Sequence, residues 1–210
     1  MTTGTGAAIA RAFASQGYSV ALLARTATHI NSLADEIKAA GGTAHAFPTD
    51  LHSSTQISET FSSIKSLGLP LKVAIFNLNT RWLVKPFLEI KQDEYQGVVS
   101  GHLGAAFSFA QEVLKEMVPA REVKYDGTVN GTLIFTGATA ATRGSAKFAA
   151  LASASFGLRA LRFVDYNSEG HTLICAQPVT CERVPPEGGS CRACDHRWYG
   201  PIQLLSRART

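Results

Sequence analysis

Short apolar runs alternate along this chain with longer amphipathic segments, and that alternation restricts the fold more than any single motif does. Tyr18 to Ala24 is an apolar run bounded by Gly17 and Arg25, which predicts a buried strand over 18–24. The next segment, 28–40, places Ile30, Leu33, Ile37 and Ala40 at helical spacing and stops at Gly41 and Gly42. The pattern then repeats: a strand from Thr43 to Phe47, a helix over 53–67, a strand at 71–77, a long helix at 91–118, a strand at 131–136 and a helix beginning near 148. Strands this short, separated by helices this long, predict βαβ units and a doubly wound α/β fold around a parallel sheet. At 210 residues and 45% hydrophobic content the chain has enough apolar material for one substantial core.

Ahead of the first strand lies Gly4-Thr5-Gly6-Ala7-Ala8-Ile9-Ala10, a glycine turn running into a helix expected at 6–16. Such a turn lets a phosphate approach the backbone and presents helix N-terminal amides to it, although glycines also mark ordinary turns and caps. A complete dinucleotide fingerprint has a strand and a further glycine before this point. The chain as given carries neither, which predicts a domain truncated at its N-terminal side.

The spaced segments together carry a resemblance. Gly4-Thr5-Gly6, Ala24-Arg25-Thr26, Thr49-Asp50-Leu51, Phe76-Asn77-Leu78-Asn79, Ile134 to Ala140 and Phe148 to Leu161 stand in an order that resembles the short-chain dehydrogenase/reductase family over residues 4 to about 161. The resemblance implies a Rossmann-like, NAD(P)-binding oxidoreductase domain over 1–161 and a divergent tail over 162–210. It implies that Gly4 and Gly6 receive the cofactor, that Asp50 and Leu51 border the adenine, and that Asn77 lies beside the ribose. Arg25 stands where an acidic residue would accept the ribose hydroxyls of NAD. A guanidinium there pairs with the 2′-phosphate of NADP, so NADP(H) is favoured over NAD(H). The implied substrate is a small-molecule carbonyl or alcohol. The implied oligomer is a homo-oligomer paired through the helices at 91–118 and from 148.

The family's chemistry uses a tyrosine acid/base, a lysine one helical turn later that lowers its pKa, and a serine that orients the carbonyl. Aligned on Phe156-Gly157-Leu158, the tyrosine position is Leu151 and the lysine position is Ser155. Leucine has no proton to transfer, and serine has no charge with which to hold a phenolate. Ala138 takes the serine position, with the Thr139 and Thr136 hydroxyls close by in sequence, and Gly101 takes the place of an asparagine in the long helix. Thr139 is therefore the single substrate-facing candidate. Lys147 and His102 are the remaining titratable groups near that region and read as a surface lysine and a solvated or core-satisfied histidine. These departures predict weak or absent catalysis, a pseudoenzyme. The alternative is a non-catalytic relative that binds a nucleotide or a protein partner, or a defective truncated product.

The tail differs in composition. All four cysteines (Cys175, Cys181, Cys191, Cys194) lie in it, every lysine lies at or before Lys147, and Pro185-Pro186-Glu187-Gly188-Gly189 interrupts it. Only His171 to Ala176 retains strand character, so the tail is expected to be irregular, either an out-of-frame segment or a divergent extension. Cys191-Arg192-Ala193-Cys194 with His196 has the close spacing of a zinc knuckle. The partner arm, Cys181 six residues after Cys175, is not a standard ligand pair, and no metal site is assigned. The net charge of +4 comes without a clustered basic run, which excludes a nucleic-acid footprint. With no apolar run of membrane length and no signal-like leader, the expectation is a cytoplasmic protein without a membrane partner.

The sheet order that the resemblance implies sets its first strand between the second and the fourth. Without it, the strands at 18–24 and 71–77 are expected to have unpaired inner edges and the chain to be poorly soluble or molten.

Overall fold

The computed structural model of the protein describes residues 4–78, 82–117, 131–161, 172–176 and 202–207. Its elements run α1 (Thr5–Ser15), β1 (Tyr18–Ala24), α2 (Ala27–Ala39), β2 (Thr43–Pro48), α3 (Ser54–Lys65), β3 (Val73–Phe76), α4 (Gln92–Val99), α5 (Ala105–Met117), β4 (Thr132–Thr136), α6 (Ala149–Leu161), β5 (Thr172–Ala176) and β6 (Ile202–Arg207). They form the expected doubly wound α/β arrangement.

The continuous apolar run of β1 is explained by burial on both faces. Val20 and Leu22 pack with Ala7, Ala10 and Ala14 of α1 and with Ile30, Leu33 and Ile37 of α2. Ala21 and Leu23 point the other way, into a cluster with Ile57 and Phe61 of α3 and Phe109 and Val113 of α5. The period of two along the strand thus serves two helix layers rather than a core and a solvent face. On the second face, Phe109 stacks edge-on with Phe61 at 5.7 Å and lies 5.5 Å from Phe76, which in turn lies 6.0 Å from Phe135. All but Phe61 are fully buried, and Phe61 is 2% exposed. Each such ring contributes roughly 1.5–3 kcal/mol by burial.

The six-stranded sheet has the order β2-β1-β6-β3-β4-β5. β1 runs parallel to β2, and β3, β4 and β5 are parallel to one another. β6 lies between β1 and β3 and is antiparallel to both, with Ile202 opposite Leu23 and Arg207 opposite Tyr18.

This corrects the expectation of two unpaired inner edges. A strand from the tail pairs with Tyr18–Leu23 on one side and Val73–Ile75 on the other, so the amides and carbonyls of both edges have partners. The strand expected within His171 to Ala176 forms as β5, and the tail, expected to be irregular beyond it, forms a further strand at 202–207. The cysteines other than Cys175, and His196, lie outside the described residues.

The long helix expected at 91–118 is also corrected. A π turn over Ser100–Gly104 separates α4 from α5. Gly101 and Gly104 each weaken a helix by about 1 kcal/mol relative to alanine. The Ser100 hydroxyl donates to the Gln96 carbonyl at 2.5 Å, adding a side-chain bond to a carbonyl of the preceding turn. Among the described residues no helix is long and apolar enough to cross a membrane.

Candidate functional site

Because β1 to β5 all run in one direction, the residues that follow them collect at one edge of the sheet. Arg25 follows β1, Asp50 and Leu51 follow β2, Asn77 follows β3 and Thr139 follows β4. α1 leads back into β1, so its first turn lies at this same edge. In open α/β sheets the crevice beyond the carboxyl ends of the strands is where ligands bind.

Gly4 caps α1 with φ 116° and ψ 165°, and no side chain caps the helix. Most side chains avoid that backbone conformation, whereas space is not the constraint: a Cβ at Gly4 would meet nothing within 4 Å. Gly4 is exposed and Gly6, one residue into the helix, is buried. An exposed glycine at a helix start leaves room for a phosphate near the α1 amides, and the chemistry fits.

Arg25 is exposed, and among the described residues no carboxylate is ion-paired with it. Its charge contributes to the field at Asp50. The Asp50 carboxyl is held below its usual range chiefly by the His52 side chain, whose Nδ1 lies 2.9 Å from Asp50 Oδ1. The His52 backbone N–H donates to the same oxygen at 3.1 Å. Asp50 is anchored again by its own N–H, which donates to Gln56 Oε1 at 2.9 Å. Beneath it, the Thr49 N–H donates to the Ala24 carbonyl at 3.0 Å, tying the end of β1 to the turn that carries Asp50.

Leu51 is 3% exposed and sits in the cluster with Phe76 and Phe109. Its side chain is committed to the core, so backbone atoms are what Leu51 can offer a ligand. Asn77 is half-buried, and the Thr136 hydroxyl donates to its Oδ1 at 2.9 Å. Asn79 lies outside the described residues.

The positions aligned with the family's catalytic groups lie on α6 and after β4. Leu151 and Ser155 lie one turn apart on α6, 6% and 3% exposed. Ala138 and Thr139 are both exposed, with Thr139 opening a single 3-10 turn over Thr139–Ala141. The second hydroxyl weighed for this role, that of Thr136, is taken by Asn77. Lys147 is exposed, as expected of a surface lysine, but adopts φ 67° and accepts a backbone bond from the Lys85 N–H at 3.0 Å. His102 sits in the π turn, 7% exposed, and its Nδ1 has no hydrogen-bond partner. It is therefore a core histidine rather than a solvated one, and, against expectation, not a fully satisfied one.

A cavity of about 660 Å³ opens beside this edge, lined by His52, Trp82, Leu83, Val84, Lys85, Glu94, Gly97 and Val98. In its lining Lys85 Nζ meets Glu94 Oε1 at 2.5 Å. Of the residues singled out from the sequence, none lines it. His52 was missed as a site residue, its two-residue spacing from Asp50 being the only signal, and Thr136, weighed as a substrate-facing hydroxyl, instead holds Asn77.

Comparison with known proteins agrees with this fold. Residues 1–165 match the short chain dehydrogenase family. A 2,3-dihydro-2,3-dihydroxybenzoate dehydrogenase of Bacillus subtilis is 27% identical over 152 residues, covering 71% of this chain and 54% of its own length. A 3beta-hydroxysteroid dehydrogenase of Mediterraneibacter gnavus is 24% identical over 190 residues, covering 89% and 63%. The chain thus spans only part of the length of the relatives it matches. A short-chain dehydrogenase from Rhodopseudomonas palustris is similar in structure with a TM-score of 0.64 and 32% identity, covering 74% of this chain and 69% of that one. A metagenomic short-chain oxidoreductase solved with NADP gives a TM-score of 0.73 at 25% identity, covering 84% and 78%. With the matched residues spanning most of its length, this chain belongs to the short-chain dehydrogenase family.

Proposed function

We propose that the chain is a dinucleotide-binding member of this family that prefers NADP(H) to NAD(H) and turns over a carbonyl or alcohol weakly or not at all. The observation that carries the reading is the contrast between the two halves of the site. Gly4, Arg25, Asp50 and Asn77 gather at one sheet edge with the groups a dinucleotide uses, whereas Leu151 and Ser155 leave α6 without a proton carrier or a cation. Gly4 and Gly6 would receive the pyrophosphate, Arg25 the 2′-phosphate and Asn77 the ribose. When bound, the nicotinamide would supply hydride chemistry. A small carbonyl or alcohol is the substrate class, by analogy with the relatives, and Thr139 is the hydroxyl that would face it.

Two subsidiary readings go with this one. Phe107 on α5 and Phe156 on α6 are 49% and 43% exposed, which favours a homo-oligomer through those helices. The cytoplasm is the compartment, because residues 1–174 contain no cysteine and the charge pattern has no membrane or nucleic-acid signature.

The test is a fluorescence titration with NADPH and with NADH, followed by NADPH oxidation assays over a panel of carbonyl compounds. Tighter saturable binding of NADPH with background turnover supports the reading. Absence of saturable binding by a folded sample, or robust turnover, overturns it.

A further inference from the structure

Arg25 and Asp50 stand at neighbouring strand ends. β1 and β2 run parallel with Ala24 opposite Pro48, and paired strands lie about 4.8 Å apart, so the residues just past the pairing come out side by side. The Thr49 N–H donates to the Ala24 carbonyl at 3.0 Å, which carries the ladder on to the residues immediately before Asp50 and Arg25. The Arg25 charge is felt at Asp50, yet no ion pair joins the two among the described residues.

The groups that hold Asp50 lie on the other side of its turn. Thr49 Oγ1 donates to the Phe47 carbonyl at 2.9 Å and, its proton spent there, accepts from the Thr60 hydroxyl of α3 at 2.8 Å. The Asp50 N–H donates to Gln56 Oε1, one helical turn before Thr60, at 2.9 Å, and the Asp50 carbonyl accepts from the Ser53 N–H at 3.0 Å. With the main chain held in this way, the freedom left to Asp50 is rotation of its side chain. His52 takes up that freedom. An ionised carboxylate only accepts, so the proton of this contact is on His52 Nδ1, and both Nδ1 and the His52 N–H fall on Oδ1, at 2.9 and 3.1 Å.

Released from His52, the Asp50 carboxylate has a second partner beside it in Arg25. Their pairing would occupy the guanidinium and set a negative charge where a 2′-phosphate has to approach. NADH has no phosphate at that position and would lose nothing comparable.

We propose that His52 is a positioning residue for cofactor choice: by holding the Asp50 carboxylate on its own side of the turn, it keeps the Arg25 guanidinium open to a phosphate and so sustains a preference for NADPH over NADH. This rests on the dinucleotide reading above. His52 acts through Asp50 and Arg25, so its effect requires the Asp50 charge.

The experiment is fluorescence titration of the wild type, His52→Phe, Asp50→Asn and the Asp50→Asn/His52→Phe double variant with NADPH and with NADH. It is read as the ratio of the two affinities, in which a loss common to both nucleotides cancels. Phenylalanine keeps a ring and removes the side-chain donor, while the main-chain bond from residue 52 survives. The ratio should fall about three- to fivefold in His52→Phe, the size expected of an exposed ion pair. It should not fall in Asp50→Asn, whose amide has no charge to offer Arg25, nor in the double variant. His52→Asn, which restores a side-chain N–H donor close to the backbone, should keep the wild-type ratio. A wild-type preference for NADPH that His52→Phe leaves unchanged, or a fall that persists in the double variant, overturns the proposal and leaves the dinucleotide reading intact. A wild type that melts cooperatively but binds neither nucleotide, or binds both equally, removes the selectivity reading and this proposal with it. Should His52→Phe not fold, His52→Ala, alone and combined with Asp50→Asn, decides in the same way.

Discussion

The Thr136 hydroxyl donates to Asn77 Oδ1 at 2.9 Å, with the Phe76 carbonyl as a second acceptor at 3.2 Å, and so ties the end of β4 to the residue that follows β3. A single hydroxyl proton serves the shorter bond, and Asn77 is held by it. Thr136→Val keeps the shape and removes the donor. It should lower stability by about 1 kcal/mol, as for a partly buried neutral hydrogen bond. If Asn77 meets the ribose, NADPH binding should weaken several-fold in the same variant. Thermal melts and fluorescence titration read the two effects separately, and a stability loss with unchanged affinity would remove Asn77 from the site.

Arg25 is exposed at the end of β1 and has no ion-pair partner among the described residues, so its removal should leave the fold alone. A charge-assisted contact to a 2′-phosphate is lost in Arg25→Ala, which should weaken NADPH binding by roughly tenfold or more while NADH binding is unchanged. An equal loss for the two nucleotides would mean that Arg25 acts on something they share.

The strands and helices that face both core clusters were legible because their patterns are local. Val20, Leu22, Ala21 and Leu23 alternate within one strand, and Ile30, Leu33 and Ile37 recur at helical spacing. β6 was not legible. Ile202-Gln203-Leu204-Leu205-Ser206-Arg207 has no strict alternation, and what makes it a strand is the pair of open edges on β1 and β3, far away in sequence. The π turn had a local signal in Gly101 and Gly104, outweighed by the helical spacing on either side. At the site, the glycine turn and Arg25 could be read by residue type. The hold on Asp50 by His52 is local, two residues apart in one turn, whereas the hold on Asn77 by Thr136 arises only when the ends of β3 and β4 meet at the sheet edge.

Leu151 and Ser155 are both buried on α6, which makes restoration of the family's pair a demanding test. In Leu151→Tyr/Ser155→Lys the lysine enters a site where Ser155 is 3% exposed, so its ammonium is desolvated and stability should fall. If the rest of the site is competent, NADPH-dependent carbonyl reduction should rise at least tenfold over the wild type in the double variant and in neither single variant. No gain in a folded double variant that still binds NADPH would place the defect beyond these two positions, at Ala138 or Gly101.

His102 gives the fold a pH dependence whose sign is determined by burial. Desolvation pushes its pKa below the ordinary histidine value of about 6.5, and Nδ1 has no partner to offset the cost of charging. The unfolded chain therefore takes up a proton near pH 6.5 that the folded chain resists. Between the two pKa values the unfolded state binds more protons, so stability falls as pH drops through that window and is fully present above it. The slope cannot exceed about 1.4 kcal/mol per pH unit for one proton. His102→Leu removes both the titration and the orphaned nitrogen, so denaturant midpoints should be flat from about pH 7 to pH 5 in the variant and decline in the wild type. Below that range both proteins should lose stability together, because the Asp50 carboxyl, held low by His52, must then be protonated in each. Parallel curves from pH 7 to pH 5 would mean that another group carries the dependence and that His102 is charged without penalty.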